Sequence, residues 1–262
     1  MNIRWINFLF LIFTLFLTGC KNHDQKTLKI AASSMPHAEI LEFIKPALEK
    51  DQIDLEIIIV DDYNMPNRAL ADKEVDANFF QHFPFLEAQM KNFGYDLVPL
   101  VGVHLEPLGL YSKKISSINE LKKGSTIGIP SDPSNQSRAL ALLQQEDLIQ
   151  LIDKGTKTSV IDIENNPLNL KFIELDSALL SRALDDVDAA IINTNFALLT
   201  NLSPQKDAIA LENGQSRFVN IVVVRNGDEQ REDMIALKKA LTSNETREYI
   251  LEHYHGALSP AF

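Results

Sequence analysis

The sequence predicts an α/β fold divided into two similar lobes, and three observations carry that expectation. Short apolar or β-branched runs alternate with helically spaced segments along most of the chain. This is the pattern of mostly parallel sheets flanked by helices. Leu55 to Val60 is a near-continuous apolar run of strand length, as a strand covered on both faces requires. Finally, "ALADKEVDANFF" (Ala69 to Phe80) and "RALDDVDAAIIN" (Arg182 to Asn193) share one plan: a helix end, an acidic turn, Val-Asp-Ala, then a short apolar strand.

The elements follow in order. Leu28 to Ala32 reads as a strand. Pro36 to Lys50 reads as a helix, because Ile40, Leu41, Ile44 and Leu48 recur at helical spacing. After Leu55 to Val60, further strands are expected near Ala77–Phe80, Leu97–His104, Thr126–Ile129, Leu170–Glu174, Ala189–Asn193 and Val219–Arg225. Helices are expected at Met65–Lys73, Phe85–Phe93, Ser134–Leu148, Ala178–Leu184 and Arg231–Ala240.

The chain has 262 residues, 45% of them hydrophobic and 23% charged, which is globular composition with length for a substantial core. A net charge of -11 repels nucleic acid and anionic lipid, so neither is expected as a partner. The first residues read as a targeting segment. Arg4 supplies a positive charge and Trp5 to Leu17 is predominantly apolar, yet shorter than the roughly 20 residues of a spanning helix. Leu17-Thr18-Gly19-Cys20 follows, and Cys20 is the only cysteine. This resembles the bacterial lipobox, which implies cleavage after residue 19, acylation of Cys20 and a polar tether over residues 20–26. Two or three lipid chains hold a protein firmly at a membrane where one does not.

Two constellations point to a small-molecule cleft. "VDANFFQHFPFLE" (Val75 to Glu87) gathers four phenylalanines with Gln81 and His82, and Pro84 ends the strand there. In open α/β sheets ligands gather outside the carboxyl ends of strands. The two repeat copies would thus face a common cleft with an aromatic wall, Phe79-Phe80-Gln81-His82, and an amide wall, Asn193-Thr194-Asn195. In "IPSDPSNQSRALALL" a strand ends at Ile129, Ser134 can cap a helix, and Arg138 follows within about a turn. Helix N-termini attract anions, and arginine offers a fork that fits a carboxylate.

His37, His82 and His104 are candidates to converge, and His253-Tyr254-His255 is a second histidine group. Neither has a metal-motif spacing or a cysteine partner, so no metal and no cofactor is expected. No G-x-S-x-G elbow and no phosphate loop occurs, and no spacing singles out a catalytic triad.

Together "PHAEIL", "DANFFQHFPFLE", "VHLEPLGLYS", "IPSDPSNQSRALALL" and "AAIINTNFA" resemble the methionine-binding lipoprotein family of NlpA or MetQ type, in order over nearly the whole mature chain. The resemblance implies a two-lobed periplasmic-binding-protein fold with its ligand in the interlobe cleft. Lobe 1 would comprise residues 27–107 with 226–262, and lobe 2 residues 108–225. It implies capture of L-methionine or a related amino acid for the permease and ATPase subunits of an ABC importer, on a bacterial membrane face toward the periplasm or exterior. Carried over by position, Tyr63, Phe80 and His82 would surround the ligand side chain, and Arg138 would grip its α-carboxylate. Asn193 and Asn220 would hold its polar end, with His104 and Phe85 as further wall residues. Phe85 and Phe196 stand where the family commonly has tyrosine, and "SSMPHAE" lacks a glycine often found before Pro-His-Ala-Glu. The residues by themselves support an apolar amino acid. They leave open an exported enzyme with His82 as base, and a surface lipoprotein of adhesive or structural role.

Overall fold

The computed structural model describes residues 26–213 and 216–262. The expected signal segment, Cys20 and all of the tether except Lys26 lie outside them. Lys26 itself is not tether but the first residue of strand β1 (Lys26–Ala32). The chain then runs through α1 (Glu39–Lys50), β2 (Ile53–Ile59), α2 (Met65–Ala71), β3 (Ala77–His82), α3 (Phe83–Phe93) and β4 (Leu97–Leu105). It crosses to a second lobe holding β5 (Gly109–Tyr111), β6 (Thr126–Pro130), α4 (Pro133–Gln145), β7 (Gln150–Leu151), β8 (Ile163–Asn165) and β9 (Lys171–Leu175). That lobe continues with α5 (Leu180–Ala183), β10 (Ala189–Ile192), α6 (Thr194–Leu199), α7 (Pro204–Asp207) and β11 (Ala208–Leu211). The chain then returns as β12 (Val219–Arg225), α8 (Glu232–Leu241), α9 (Asn244–His253) and β13 (Ser259–Pro260). No helix among the described residues is long and apolar enough to cross a membrane.

The strands form one sheet per lobe, in the orders β13-β4-β12-β3-β1-β2 and β11-β5-β10-β6-β9, with β7 and β8 as a separate ribbon. Two expectations are corrected here. The sheets are mixed, not mostly parallel: β1, β2 and β3 run parallel, as do β6, β9 and β10, but β4, β5, β11, β12 and β13 enter antiparallel. The second crossing also falls earlier than 225. Val219–Arg225, expected in lobe 2, pairs with β3 and β4 inside the sheet of lobe 1. The first crossover is therefore residues 106–108, and the second falls between the end of β11 and the start of β12.

Each sheet is covered on both faces, so alternate residues enter different cores. In β1, Leu28, Ile30 and Ala32 pack with α1 and α8 through Leu41, Ile44, Met234 and Leu237, while Ala31 faces Leu70, Leu86 and Val223. In β10, Ala189 and Ile191 face Leu140 and Leu143 of α4, and Ala190 and Ile192 face Leu180 and Phe196. The internal repeat has a structural counterpart. Asp76 and Asp188 enter their strands in the same way, each accepting a backbone N–H of the neighbouring parallel strand, Lys29 at 3.0 Å and Thr126 at 2.7 Å.

Packing is tight where β5 begins. A Cβ on Gly109 would lie 2.6 Å from Cε2 of Tyr111, whose ring is buried. Gly109→Ala is expected to lose about 1–3 kcal/mol through overpacking, read as a lower urea midpoint. An unchanged midpoint would mean that the ring has room to move.

Candidate functional site

The carboxyl ends of β1, β3, β6 and β10 converge where the lobes meet, and the loops after them carry the polar residues. They surround a small cavity of about 20 Å³ lined by Tyr63, Phe80, Gln81, His82, Phe85, Glu106, Asn135, Arg138, Asn193, Thr194 and Asn220. That is room for about one water, so the lobes stand closed on a nearly filled site and a larger ligand enters only as they part. Seven of the eight residues expected at a site are among these. The eighth, His104, is not: it lies fully buried behind the wall and donates Nε2–H to Glu106 Oε1 at 2.7 Å.

The aromatic wall comes from a bulge. Along β3, Gln81 pairs with Ile221 and Phe79 with Val222, which leaves Phe80 as an extra residue without a partner on β12. A bulge re-aims side chains, and the four phenylalanines divide accordingly. Phe79 packs in the lobe 1 core, Phe80 and Phe85 line the cavity, and Phe83 is exposed on α3. Tyr63 lies 5.7 Å from Phe80, 5.6 Å from Phe85 and 5.0 Å from Phe196 between ring centroids. These three neighbours form an apolar half-box around Tyr63.

His82 is the N-cap of α3. Its Nδ1 accepts the Phe85 N–H at 3.2 Å, so Nε2 carries the proton and donates to Asn135 Oδ1 of the other lobe at 3.1 Å. Asn135 Oδ1 also accepts from Asn193 Nδ2 at 3.0 Å. Ser134, expected to cap α4, does not: Asp132 is the cap and accepts the Asn135 N–H at 2.9 Å. A carboxylate two residues earlier reaches the free N–H group and also holds the Asn135 amide.

Arg138, in the next turn of α4, is buried at 4% exposure and gives most of its donors to protein. Nε bonds Glu212 Oε1 and Oε2 at 2.9 and 3.0 Å, and Nη2 bonds Glu212 Oε2 at 2.5 Å and the Glu106 carbonyl at 2.6 Å. Its guanidinium lies 4.3 Å from the centroid of the Phe218 ring. Nη1 bonds no described residue.

Sequence reasoning missed Glu106, Asn135 and Glu212, whereas Thr194 stands in the expected amide wall. Glu106 stands in the quoted "HLEP" run, two residues after His104, and a carboxylate before proline at a strand exit was the available signal. Its Oε2 accepts the Asn195 N–H at 3.1 Å, and His37 Nε2 stands 3.4 Å from Oε1. Burial alone would raise the Glu106 carboxyl. The hydrogen bond from His104, with the electrostatic pull of His37, His104 and Arg138, outweighs burial and holds it below the usual carboxylate range.

His37, His104 and Glu106 offer donor atoms within 4.8 Å of one another, a spacing that suits a metal. The tautomers point instead to hydrogen bonding. His37 Nδ1 lies 2.7 Å from the Ser33 hydroxyl and Nε2 lies 3.0 Å from Asn220 Oδ1, an acceptor, so Nε2 holds a proton where a metal needs a lone pair. His82 does not join this group, because its ring is turned toward Asn135.

Residues 28–262 match the family model described as NlpA lipoprotein. Outer membrane lipoprotein 3 of Mannheimia haemolytica is 42% identical over 249 residues, covering 94% of this chain and 94% of that one. The methionine-binding lipoprotein MetQ of Bacillus subtilis (strain 168) is 39% identical over 263 residues, covering 96% of each. Among solved structures, a nutrient binding protein from Burkholderia cenocepacia bound to methionine superposes with a TM-score of 0.87 at 41% identity, over 90% of this chain and 100% of that one. The likeness spans both lobes, both crossovers and every wall of the cavity, and the chain belongs to the NlpA lipoprotein family.

Proposed function

We propose that this protein is the substrate-binding lipoprotein of an ABC importer. It is anchored through lipid on Cys20 at a cell-envelope membrane, faces the periplasm or exterior, and delivers methionine or a close analogue to the permease and ATPase subunits. One observation carries this reading: a single cavity at the meeting of the lobes joins an apolar half-box to a polar half with groups for both ends of a zwitterion. Tyr63, Phe80, His82 and Phe85 receive the side chain. Arg138 Nη1 receives the carboxylate, and Asn193 and Asn220 hold the polar end of the ligand. His104 acts from behind the wall by holding Glu106.

Magnitudes agree with amino-acid capture. Burying a methionine-sized side chain contributes roughly 1.5–3 kcal/mol, and a thioether–aromatic contact about 0.3–1.5 kcal/mol. A charge-assisted bond to the carboxylate adds about 1.5–3 kcal/mol. One methylene more or less in such a pocket changes binding by only about 1–3 kcal/mol. Preference for methionine over other apolar amino acids therefore rests on the relatives.

The enzyme alternative loses its base. Both His82 nitrogens are engaged, and burial, then the charge of Arg138, lowers its pKa to about 3. Burial likewise lowers His37 to about 4, against a weaker upward pull from Glu106. Capture and lobe closure without covalent change is the mechanism that remains.

Titration calorimetry with L-methionine tests the proposal: one-to-one binding with the ligand recovered intact is expected, and no heat with any amino acid would overturn it. Arg138→Ala should weaken binding at least about tenfold. It should also lower the melting temperature, because Glu212 is left as a buried charge without its partner. Unchanged affinity in a folded Arg138→Ala protein would remove Arg138 from the site.

The histidines set a pH dependence. Both take up protons in the unfolded chain near 6.5 but stay neutral when folded, so their contribution is complete above about pH 6.5 and declines as pH falls toward 4. A tenfold difference in proton affinity between the unfolded and folded chains corresponds to about 1.4 kcal/mol, so the loss by pH 4.5 is on the order of a few kcal/mol. Melting temperatures should start to fall near pH 6.5. A profile flat to pH 5 would mean that the imidazoles titrate normally.

A further inference from the structure

We propose that Glu212 is a specificity residue: it neutralises Arg138, leaves the cavity with a net negative charge, and so makes the ligand's ammonium group rather than its carboxylate decide binding. This rests on the amino-acid reading of the cavity given above.

The charge inventory follows from geometry. Arg138 meets Glu212 through Nε and Nη2 at 2.5–3.0 Å, with 4% and 6% side-chain exposure. Glu212 Oε2 also accepts the Leu108 N–H of the first crossover at 3.1 Å, so the carboxylate is fixed with or without ligand. The positive charge of Arg138 is met before a carboxylate arrives, and Nη1 contributes hydrogen bonds more than net attraction. Glu106 is the second buried carboxylate, and its donors are the His104 ring and the Asn195 N–H. His104 Nδ1 has no partner among the described residues. An imidazolium there would bury an N–H without an acceptor, so the ring is the neutral Nε2–H tautomer. One cation and two carboxylates leave a net charge of about minus one, in a medium where unpaired charge is expensive.

The cavity also carries a free acceptor. Asn193 Oδ1 is buried without a partner among the described residues, while its Nδ2 is tied to Asn135. An ammonium group supplies what both Asn193 Oδ1 and Glu106 lack. A zwitterion leaves the filled cavity at minus one, an amino-acid amide brings it to zero, and an acid without the amine takes it to minus two. The order of affinity among such analogues therefore reads the charge of the site.

The test is calorimetry on the wild-type protein with L-methionine, L-methioninamide and 4-(methylthio)butanoic acid. The amide is expected to lose less than about tenfold and the amine-free acid more than about a hundredfold. The same series on Glu212→Gln should reverse the trend. With Arg138 unneutralised, the amide should lose at least about tenfold of its lead over the acid, and the penalty for losing the amine should shrink. A purely structural role for Glu212 would weaken all three ligands together. Should Glu212→Gln fail to fold, the wild-type order alone decides. An amide weaker than the amine-free acid overturns the proposal even if methionine binds well. If methionine does not bind, the transport reading fails separately, and the series is repeated on whichever amino acid gives the largest thermal shift.

Discussion

The buried ion pair between Arg138 and Glu212 is the constraint on which the geometry of the cavity depends. Arg138 rises from α4, Glu212 lies on the second crossover, and the same guanidinium bonds the Glu106 carbonyl on the first. One side chain thus ties both connections between the lobes to the helix that follows β6. Such a pair adds little net stability, because desolvating two charges offsets most of their attraction. What it supplies is position. The two crossovers cannot drift apart without leaving a charge or a carbonyl unpaired in a dry interior, which would cost several kcal/mol.

The return of the chain into lobe 1 explains the rest of the wall. β12 is inserted antiparallel between β3 and β4, and neither pairing is regular. Phe80 is the extra residue on β3, and Val103 is the extra residue on β4 between His104 and Gly102. After the shifts, Asn220 stands opposite His82 on one side and His104 on the other. This places a cavity-facing amide next to the His37–Glu106–His104 group. A strand running from one lobe into the sheet of the other thereby carries site residues on its first turn of pairing.

What was legible in the sequence was local. Period-two and helical patterns marked nearly every long element, and Pro84 marked the end of β3. The repeat around Asp76 and Asp188 was legible because the same local need recurs: a side chain that accepts an N–H from the parallel strand beside it. Non-local facts were not. Nothing in Val219 to Arg225 states that its partners lie more than a hundred residues earlier, so the pattern reveals the strand and not the lobe it joins. Asp132 and Ser134 are both competent helix caps, and only the backbone path selects the first. His104 and Glu106 lie on the same side of a strand exit, and sequence spacing alone could not tell which of them reaches the cavity. The site as a whole was legible mainly through family resemblance, since burial and tautomer choice are properties of the folded molecule.

The lobes also meet directly. Tyr63 donates to Asn195 Oδ1 at 2.6 Å, His82 to Asn135 at 3.1 Å, and Asn195 to Glu106 at 3.1 Å. The first two join neutral groups, each contributing on the order of 1 kcal/mol net, and open lobes would let water satisfy the same atoms. Those contacts define the closed geometry without strongly enforcing it. A ligand can bias closure only by what it gains in the closed form over the open one. Here the gain comes from groups that water reaches easily when the cleft is open and not when it is shut: the rings around Tyr63, the free Nη1 of Arg138 and the unpaired Oδ1 of Asn193. Their incomplete pairing would cost little with the lobes apart and more with them shut, so on the proposed reading a zwitterion of the right length would supply the driving force for closure.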